Sequence, residues 1–121
     1  MLNCLLVGLG GFIGAVLRYL ISLIPVKNPE SFPIHTFIIN VVGAFAIGCI
    51  AFAASKNENI DPKLLLFLKV GICGGFTTFS TFSLETAELI KSGSIAIALI
   101  YISASIILSV LAVMLPQLAF K

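Results

Sequence analysis

Charged side chains are scarce in this sequence, and their scarcity excludes a water-soluble protein. Asp, Glu, Lys and Arg together make up 10% of the 121 residues, whereas 60% are hydrophobic and the mean hydropathy is +1.19. A soluble domain of this length needs a far more polar surface. The composition indicates an integral membrane protein. A chain this small cannot enclose a pore alone, so we expect it to act as an oligomer.

Groups that carry catalysis are also lacking. No nucleophile is paired with a base, no carboxylate pair falls in the middle of an apolar stretch, and no nucleotide-binding loop is present. Cys4, Cys49 and Cys73 are odd in number and show no C-x-x-C spacing, so we expect them to pack rather than to form disulfides or bind metal. The sequence predicts neither an enzyme nor a partner of nucleic acids.

Most of the chain consists of long apolar runs. Four of them lie between charged or proline-bearing breaks, at residues 2–24, 36–54, 64–90 and 95–118. Each is long enough to cross the hydrocarbon core as a helix, which takes about 20 residues. We therefore predict an all-α membrane protein, with a single domain over residues 1–121 and four transmembrane helices per chain.

Basic residues are divided almost evenly between the two sides of the membrane that these spans define. One side carries Lys56, Lys63, Lys69 and Lys121, and the other carries Arg18, Lys27 and Lys91. Because an excess of Lys and Arg normally marks the cytoplasmic side, a nearly balanced chain can insert in both orientations. Two opposite copies could then pair, so we predict an antiparallel dual-topology homodimer.

The first two spans each place a polar residue on a face that also carries glycine. Gly10, Gly14 and Arg18 recur every four residues and share one helical face, where small residues permit close helix contact. Arg18 either snorkels to the headgroups or pairs with a buried partner, because an intramembrane charge is costly in lipid. Asn40 shares a face with Gly43, and it either bonds a neighbouring helix or lines a polar path.

The third span contains the least regular stretch, GICGGFTTFSTFSLE at residues 71–85. Gly74 and Gly75 weaken helical order, and the hydroxyl side chains that follow offer competing hydrogen bonds to the backbone. These hydroxyl residues are Thr77, Thr78, Ser80, Thr81 and Ser83. We predict that the third helix is broken near its centre, within the middle of the assembly, and that carbonyls exposed by the break can coordinate a cation.

Aromatic and hydroxyl side chains follow this predicted break. Phe79 and Phe82 face the same way in a helix, either toward lipid or with their positive ring edges toward a passing anion. In the fourth span Tyr101, Ser105 and Ser109 form a polar stripe, although serines also bond back to helix carbonyls. The spans are rich in hydrogen-bond donors and hold no acidic residue at depth, which favours transport of an anion. A proton-coupled exporter of the small multidrug type is the alternative, but it is expected to need an acidic residue deep in the first span.

Three motifs carry a resemblance to a known family. GGFIGAVLRY at residues 10–19, NVVGAFAIG at 40–48 and GICGGFTTFSTFS at 71–83 resemble the Fluc (CrcB) fluoride channels, and the likeness covers nearly the whole chain. The resemblance implies a fluoride-selective channel that exports fluoride passively and lowers its cytoplasmic level. It also implies an antiparallel homodimer among the lipids of a bacterial inner membrane, with two pathways and a central structural sodium ion.

The resemblance also implies roles for individual residues. A pore amide, paired phenyls, nearby hydroxyls and a basic residue near the entrance would form the fluoride pathway. These are Asn40, Phe79, Phe82, Ser80, Thr81, Tyr101, Ser105, Ser109 and Arg18. The backbone carbonyls of Gly74 and Thr77 would bind the sodium ion, with two copies together supplying four oxygens.

Overall fold

The computed structural model describes residues 1–26 and 32–120. Lys27 and Lys121, which enter the charge balance above, lie outside the described residues. The helices of the described chain are α1 (Leu2–Ser22), α2 (Ile34–Lys56), α3 (residues 62–76), α4 (Phe79–Lys91) and α5 (Ile95–Ala119). The segment α3 combines a short α-helical turn, a π-helix and a final turn, whose bounds are Pro62–Leu65, Leu66–Cys73 and Gly74–Phe76.

Within the described residues, four stretches are long and apolar enough to cross a membrane, which confirms the predicted all-α fold and number of spans. They are Leu2–Ser22, Ile34–Lys56, Pro62–Lys91 and Ile95–Ala119, the third of which combines α3 and α4. Helix α2 continues past the predicted apolar run through Ser55 and Lys56, and it ends where the backbone of Asn57 becomes extended. Apolar runs locate the spans, whereas the backbone decides where each helix stops.

The outer faces of the helices present large apolar side chains. Leu5, Phe12 and Leu99 are 65%, 67% and 59% exposed, and similar residues follow along every long helix. In water such a surface would drive aggregation, but in a bilayer it faces hydrocarbon at no cost. The structure is therefore that of a multi-pass membrane protein.

Close backbone contacts join the helices in pairs, with α1 packed along α3 and α2 packed along α5. A Cβ atom built on Gly10 would lie 2.6 Å from the carbonyl oxygen of Phe67, and one on Gly48 would lie 2.5 Å from that of Val113. Only glycine fits at such distances, since backbone atoms on both sides have no room to move. The glycine face predicted for α1 is thus the face that packs against α3.

Replacing Gly14 with Ala is expected to destabilise the protein by about 1–3 kcal/mol, the usual cost of overpacking. A Cβ there would overlap the carbonyl oxygen of Ile72 and would lie 2.7 Å from the amide nitrogen of Phe76, so α1 would have to move away from α3. Thermal unfolding in detergent measures the effect. Gly8→Ala is the matched control, because no atom lies within 4 Å of a Cβ at Gly8. Equal melting temperatures for the two variants would contradict the packing argument.

Candidate functional site

The helical backbone is interrupted between α3 and α4. Thr77 has φ −81° and ψ 157°, and Thr78 has φ −148° and ψ 114°, so both residues are extended. The Thr78 hydroxyl oxygen accepts a hydrogen bond from the Thr81 amide at 3.2 Å and donates one to the Thr81 hydroxyl at 3.0 Å. Thr78 is therefore the N-cap of α4, a role that threonine favours because its oxygen replaces a missing helical acceptor.

Asn40 of α2 supports this interruption from the side. Its Oδ1 accepts a hydrogen bond from the Thr78 amide at 2.8 Å, and its Nδ2 donates one to the Thr78 carbonyl at 3.2 Å. One side chain thus pairs both backbone groups of a residue that has left the helix. Unpaired, these groups would each be costly at membrane depth. Of the two roles predicted for Asn40, bonding a neighbouring helix is present in the structure.

The interruption also changes the surroundings of two carbonyl oxygens. In a continuous α-helix the amides of Thr78 and Thr81 would donate to the carbonyls of Gly74 and Thr77, four residues earlier. Here they donate to Asn40 and to the Thr78 hydroxyl instead. The carbonyls of Gly74 and Thr77 are thereby released from helical bonding, and such oxygens suit a hard cation.

Acidic or thiolate ligands do not compete for that role. Within residues 1–26 and 32–120, no group of three or more His, Cys, Asp or Glu side chains is placed to hold a metal ion. Gly74 is exposed on this chain, so its backbone is accessible from outside. The released carbonyl oxygens of Gly74 and Thr77 are candidate ligands at the interruption.

Arg18 donates a hydrogen bond to a third carbonyl at the same interruption. Its Nε donates to the carbonyl of Gly75 at 3.2 Å, the position that would receive the Phe79 amide in a continuous helix. The guanidinium also places positive charge near the C-terminal end of α3, where the helix dipole is negative. Arg18 is thus paired with backbone of the α1–α3 contact, and its predicted place near a pathway entrance stays a prediction.

A groove of about 460 Å³ runs between α2, α3, α4 and α5 beside the interruption. Seven of the residues predicted for the site line it. They are Asn40, Gly74, Thr77, Phe79, Phe82, Ser105 and Ser109. The groove brings together the amide of the second span, the phenyls and cation-site positions of the third and the serines of the fourth. In the sequence, these residues belong to separate spans.

The phenyl rings form one wall of the groove. Phe79 and Phe82 have ring centroids 5.8 Å apart at an interplanar angle of 38°, and Phe79 is 79% exposed. The Phe82 ring lies 4.9 Å from the ring of Tyr101, which is completely buried and donates its hydroxyl to Glu85 at 3.0 Å. Tyr101 thus stands behind Phe82, outside the groove lining, and fixes the ring from the rear.

The hydroxyl residues differ in how their donors are used. Ser105 is 7% exposed and lines the groove, yet its Oγ has no hydrogen-bond partner among the described residues. The oxygen itself is almost completely enclosed, so Ser105 contributes to the groove wall while its hydroxyl is buried within that wall. Ser109 also lines the groove, whereas Thr81 bonds Thr78, and Ser80 is exposed outside the lining.

Nine lining residues were not among the predicted site residues, and two of them, Thr78 and Lys69, have polar or charged side chains. Thr78 caps α4 and pairs with Asn40, and the available signal for an N-cap was a threonine directly before Phe79, the first apolar residue of α4. Lys69 lines the groove from the π-helical part of α3. The direction of the Lys69 side chain depends on the winding of this π-helix, which the pattern of apolar residues in the sequence does not encode.

The chain is similar along nearly its whole length to known proteins. The family model described as CrcB-like protein, Camphor Resistance (CrcB), matches residues 5–117. The chain is 44% identical over 122 residues to a fluoride-specific ion channel FluC of Ruminiclostridium cellulolyticum, covering 100% of this chain and 94% of the relative. It is 43% identical over 111 residues to a protein of the same name from Azobacteroides pseudotrichonymphae, covering 91% and 89%. It is also 44% identical over 118 residues to a third from Clostridium perfringens, covering 97% and 92%.

Proposed function

The chain belongs to the CrcB-like family, and we propose that it is a fluoride-specific ion channel that lets fluoride leave the cell passively and so lowers cytoplasmic fluoride. Relatives that align along nearly the whole chain are named as such channels, and an ion channel is not an enzyme. The observation that carries the proposal is the chemistry of the groove. Its described lining combines amide and hydroxyl donors with phenyl rings and contains no carboxylate.

This lining suits a small, strongly hydrated anion. The Ser109 hydroxyl lies in the lining, and the Phe79 and Phe82 ring edges carry partial positive charge. The Asn40 Nδ2 has a second hydrogen besides the one directed at Thr78. Donors on several sides replace lost water for fluoride, whereas larger chloride cannot approach them all equally closely.

A proton-coupled exporter of the small multidrug type is not favoured. Such a protein is expected to need an acidic residue deep in its first span, and α1 (Leu2–Ser22) contains none. The described residues that line the groove include no carboxylate either. A passive channel requires no group that binds and releases a proton during transport.

The proposed assembly is an antiparallel dual-topology homodimer in the inner membrane, with α3 and α4 forming one span broken at Thr77 and Thr78. The balanced basic residues support it, and so do the open groove and the 79% exposure of Phe79. A second, inverted copy would cover the groove and bring its own interruption next to the first. The proposed structural sodium ion, when bound, would join the copies through the Gly74 and Thr77 carbonyls.

Fluoride efflux from liposomes tests the proposed function. Purified protein is reconstituted with trapped fluoride or trapped chloride, and each anion is followed with an ion-selective electrode in the absence of a proton gradient. We expect rapid fluoride efflux and chloride efflux at the rate of protein-free vesicles. Well-folded protein that releases no fluoride, or that releases fluoride only when a proton gradient is imposed, would contradict a passive fluoride channel.

A further inference from the structure

Lys69 is the only residue with a formal charge among the described residues that line the groove. It lies in the π-helix Leu66–Cys73, and its side chain is partly buried. A buried lysine is costly in a membrane unless its ammonium group reaches water or a counter-ion. Among the described residues, none of those that line the groove offers a carboxylate as a counter-ion, and a soluble anion can take that role.

The π-helix explains why Lys69 faces the groove. The Gly74 amide donates to the Lys69 carbonyl, five residues earlier. Residues five apart in a π-helix are joined by a hydrogen bond across one turn, so Lys69 lies about one turn before Gly74, and both line the groove. Segments of π-helix are rare and often occur at functional sites, and this one turns a basic residue toward the proposed pathway.

Lys69 also lies at a depth suited to a mouth. Helix α3 begins at Pro62, next to the exposed connection at residues 57–61. Seven residues separate Pro62 from Lys69, roughly 10 Å at helical rise. The apolar stem of lysine can span part of this depth and hold the ammonium near water. Lys69 is therefore nearer the start of α3 than Gly74 and the interruption are, and it lines the same groove as Asn40 and the phenyl rings.

We propose that Lys69 is an anion-concentrating residue at one mouth of the groove, which raises the local concentration of fluoride before the ion reaches the donors. The inference rests on the proposed channel function and deepens it. A unit charge about 10 Å from an anion, at an effective dielectric between about 20 and 80, raises its local concentration roughly two- to twenty-fold. Lys69 acts through this field and is a positioning residue for the anion.

The test compares Lys69→Gln with Lys69→Arg, which keeps the charge. Lys63→Gln is the matched control, because Lys63 lies in the first turn of the same segment, is exposed and does not line the groove. Initial rates of fluoride efflux are measured in low salt at two fluoride concentrations, one well below the concentration that saturates the rate and one near it. We expect Lys69→Gln to lower the low-fluoride rate roughly two- to twenty-fold, with little change at saturation. Lys69→Arg and Lys63→Gln should both match the wild type.

Ionic strength separates steering from a structural role. At about 1 M impermeant salt the Debye length falls to about 3 Å, so the difference between Lys69→Gln and the wild type should disappear. Unchanged low-fluoride rates in Lys69→Gln would overturn the inference. So would a loss that persists in high salt, or one that Lys69→Arg shares. If the wild-type protein itself shows no fluoride efflux, the proposed function is wrong, and this outcome is visible before any variant is compared.

Discussion

Replacing Asn40 with Asp is expected to lower fluoride efflux at least about 100-fold. The carboxylate keeps an oxygen that can accept the Thr78 amide, but it loses the Nδ2 donor to the Thr78 carbonyl and adds a negative charge to the groove. Two like charges about 4 Å apart repel by about 4 kcal/mol at an effective dielectric of about 20, which corresponds to roughly a thousandfold in occupancy. Efflux from liposomes measures the effect directly.

Two further variants identify the cause of that loss. Asn59→Asp adds the same charge in the exposed connection at residues 57–61 and should leave efflux unchanged. Asn40→Ala adds no charge but leaves the amide and carbonyl of Thr78 unpaired. Each unpaired group should lower the free energy of unfolding by about 1–3 kcal/mol. Asn40→Ala should therefore lower the melting temperature more than Asn40→Asp does. If correctly folded Asn40→Asp releases fluoride at a rate within a few-fold of the wild type, Asn40 is not part of the fluoride pathway.

The spans were predictable because membrane insertion depends on composition over long windows. About 20 apolar residues are needed to cross the hydrocarbon core, and α1 and α5 satisfy that condition with few polar interruptions. The packing face of α1 was also predictable, since Gly10 and Gly14 recur at helical spacing. These properties are local, and each can be evaluated without knowing which helix lies opposite.

The contacts that organise the site were not predictable in the same way. Asn40 and Thr78 are 38 residues apart, and no local pattern announces that one side chain pairs both backbone groups of the other residue. The stripe of the fourth span was only partly informative. Tyr101 and Ser105 share a helix face, but the large Tyr101 ring packs behind Phe82 and its hydroxyl bonds Glu85, whereas the small Ser105 residue lines the groove. Side-chain size and the neighbouring helix decide between these outcomes.

An orientation-biased pair of variants is expected to lose function separately and regain it together. Asn57→Lys with Asn59→Lys adds two positive charges to the connection between α2 and α3, and Ser92→Lys with Ser94→Lys adds two between α4 and α5, on the opposite side. Since basic residues are retained in the cytoplasm, each double variant should insert in one orientation only. An antiparallel dimer then cannot form from one variant, so cellular fluoride resistance should fall to that of cells lacking the channel. Coexpression should restore it.

The charge-balanced control is Asn59→Lys with Ser94→Lys, which adds one lysine to each side and should remain active alone. It carries as many new charges as either biased variant, so its activity separates orientation from damage to the connections. The antiparallel arrangement also predicts that each copy covers the open groove of the other, because Phe79 and Gly74 lie exposed on one chain. If either biased variant is uniformly oriented and still confers full resistance alone, a parallel assembly or a single chain must complete the groove instead.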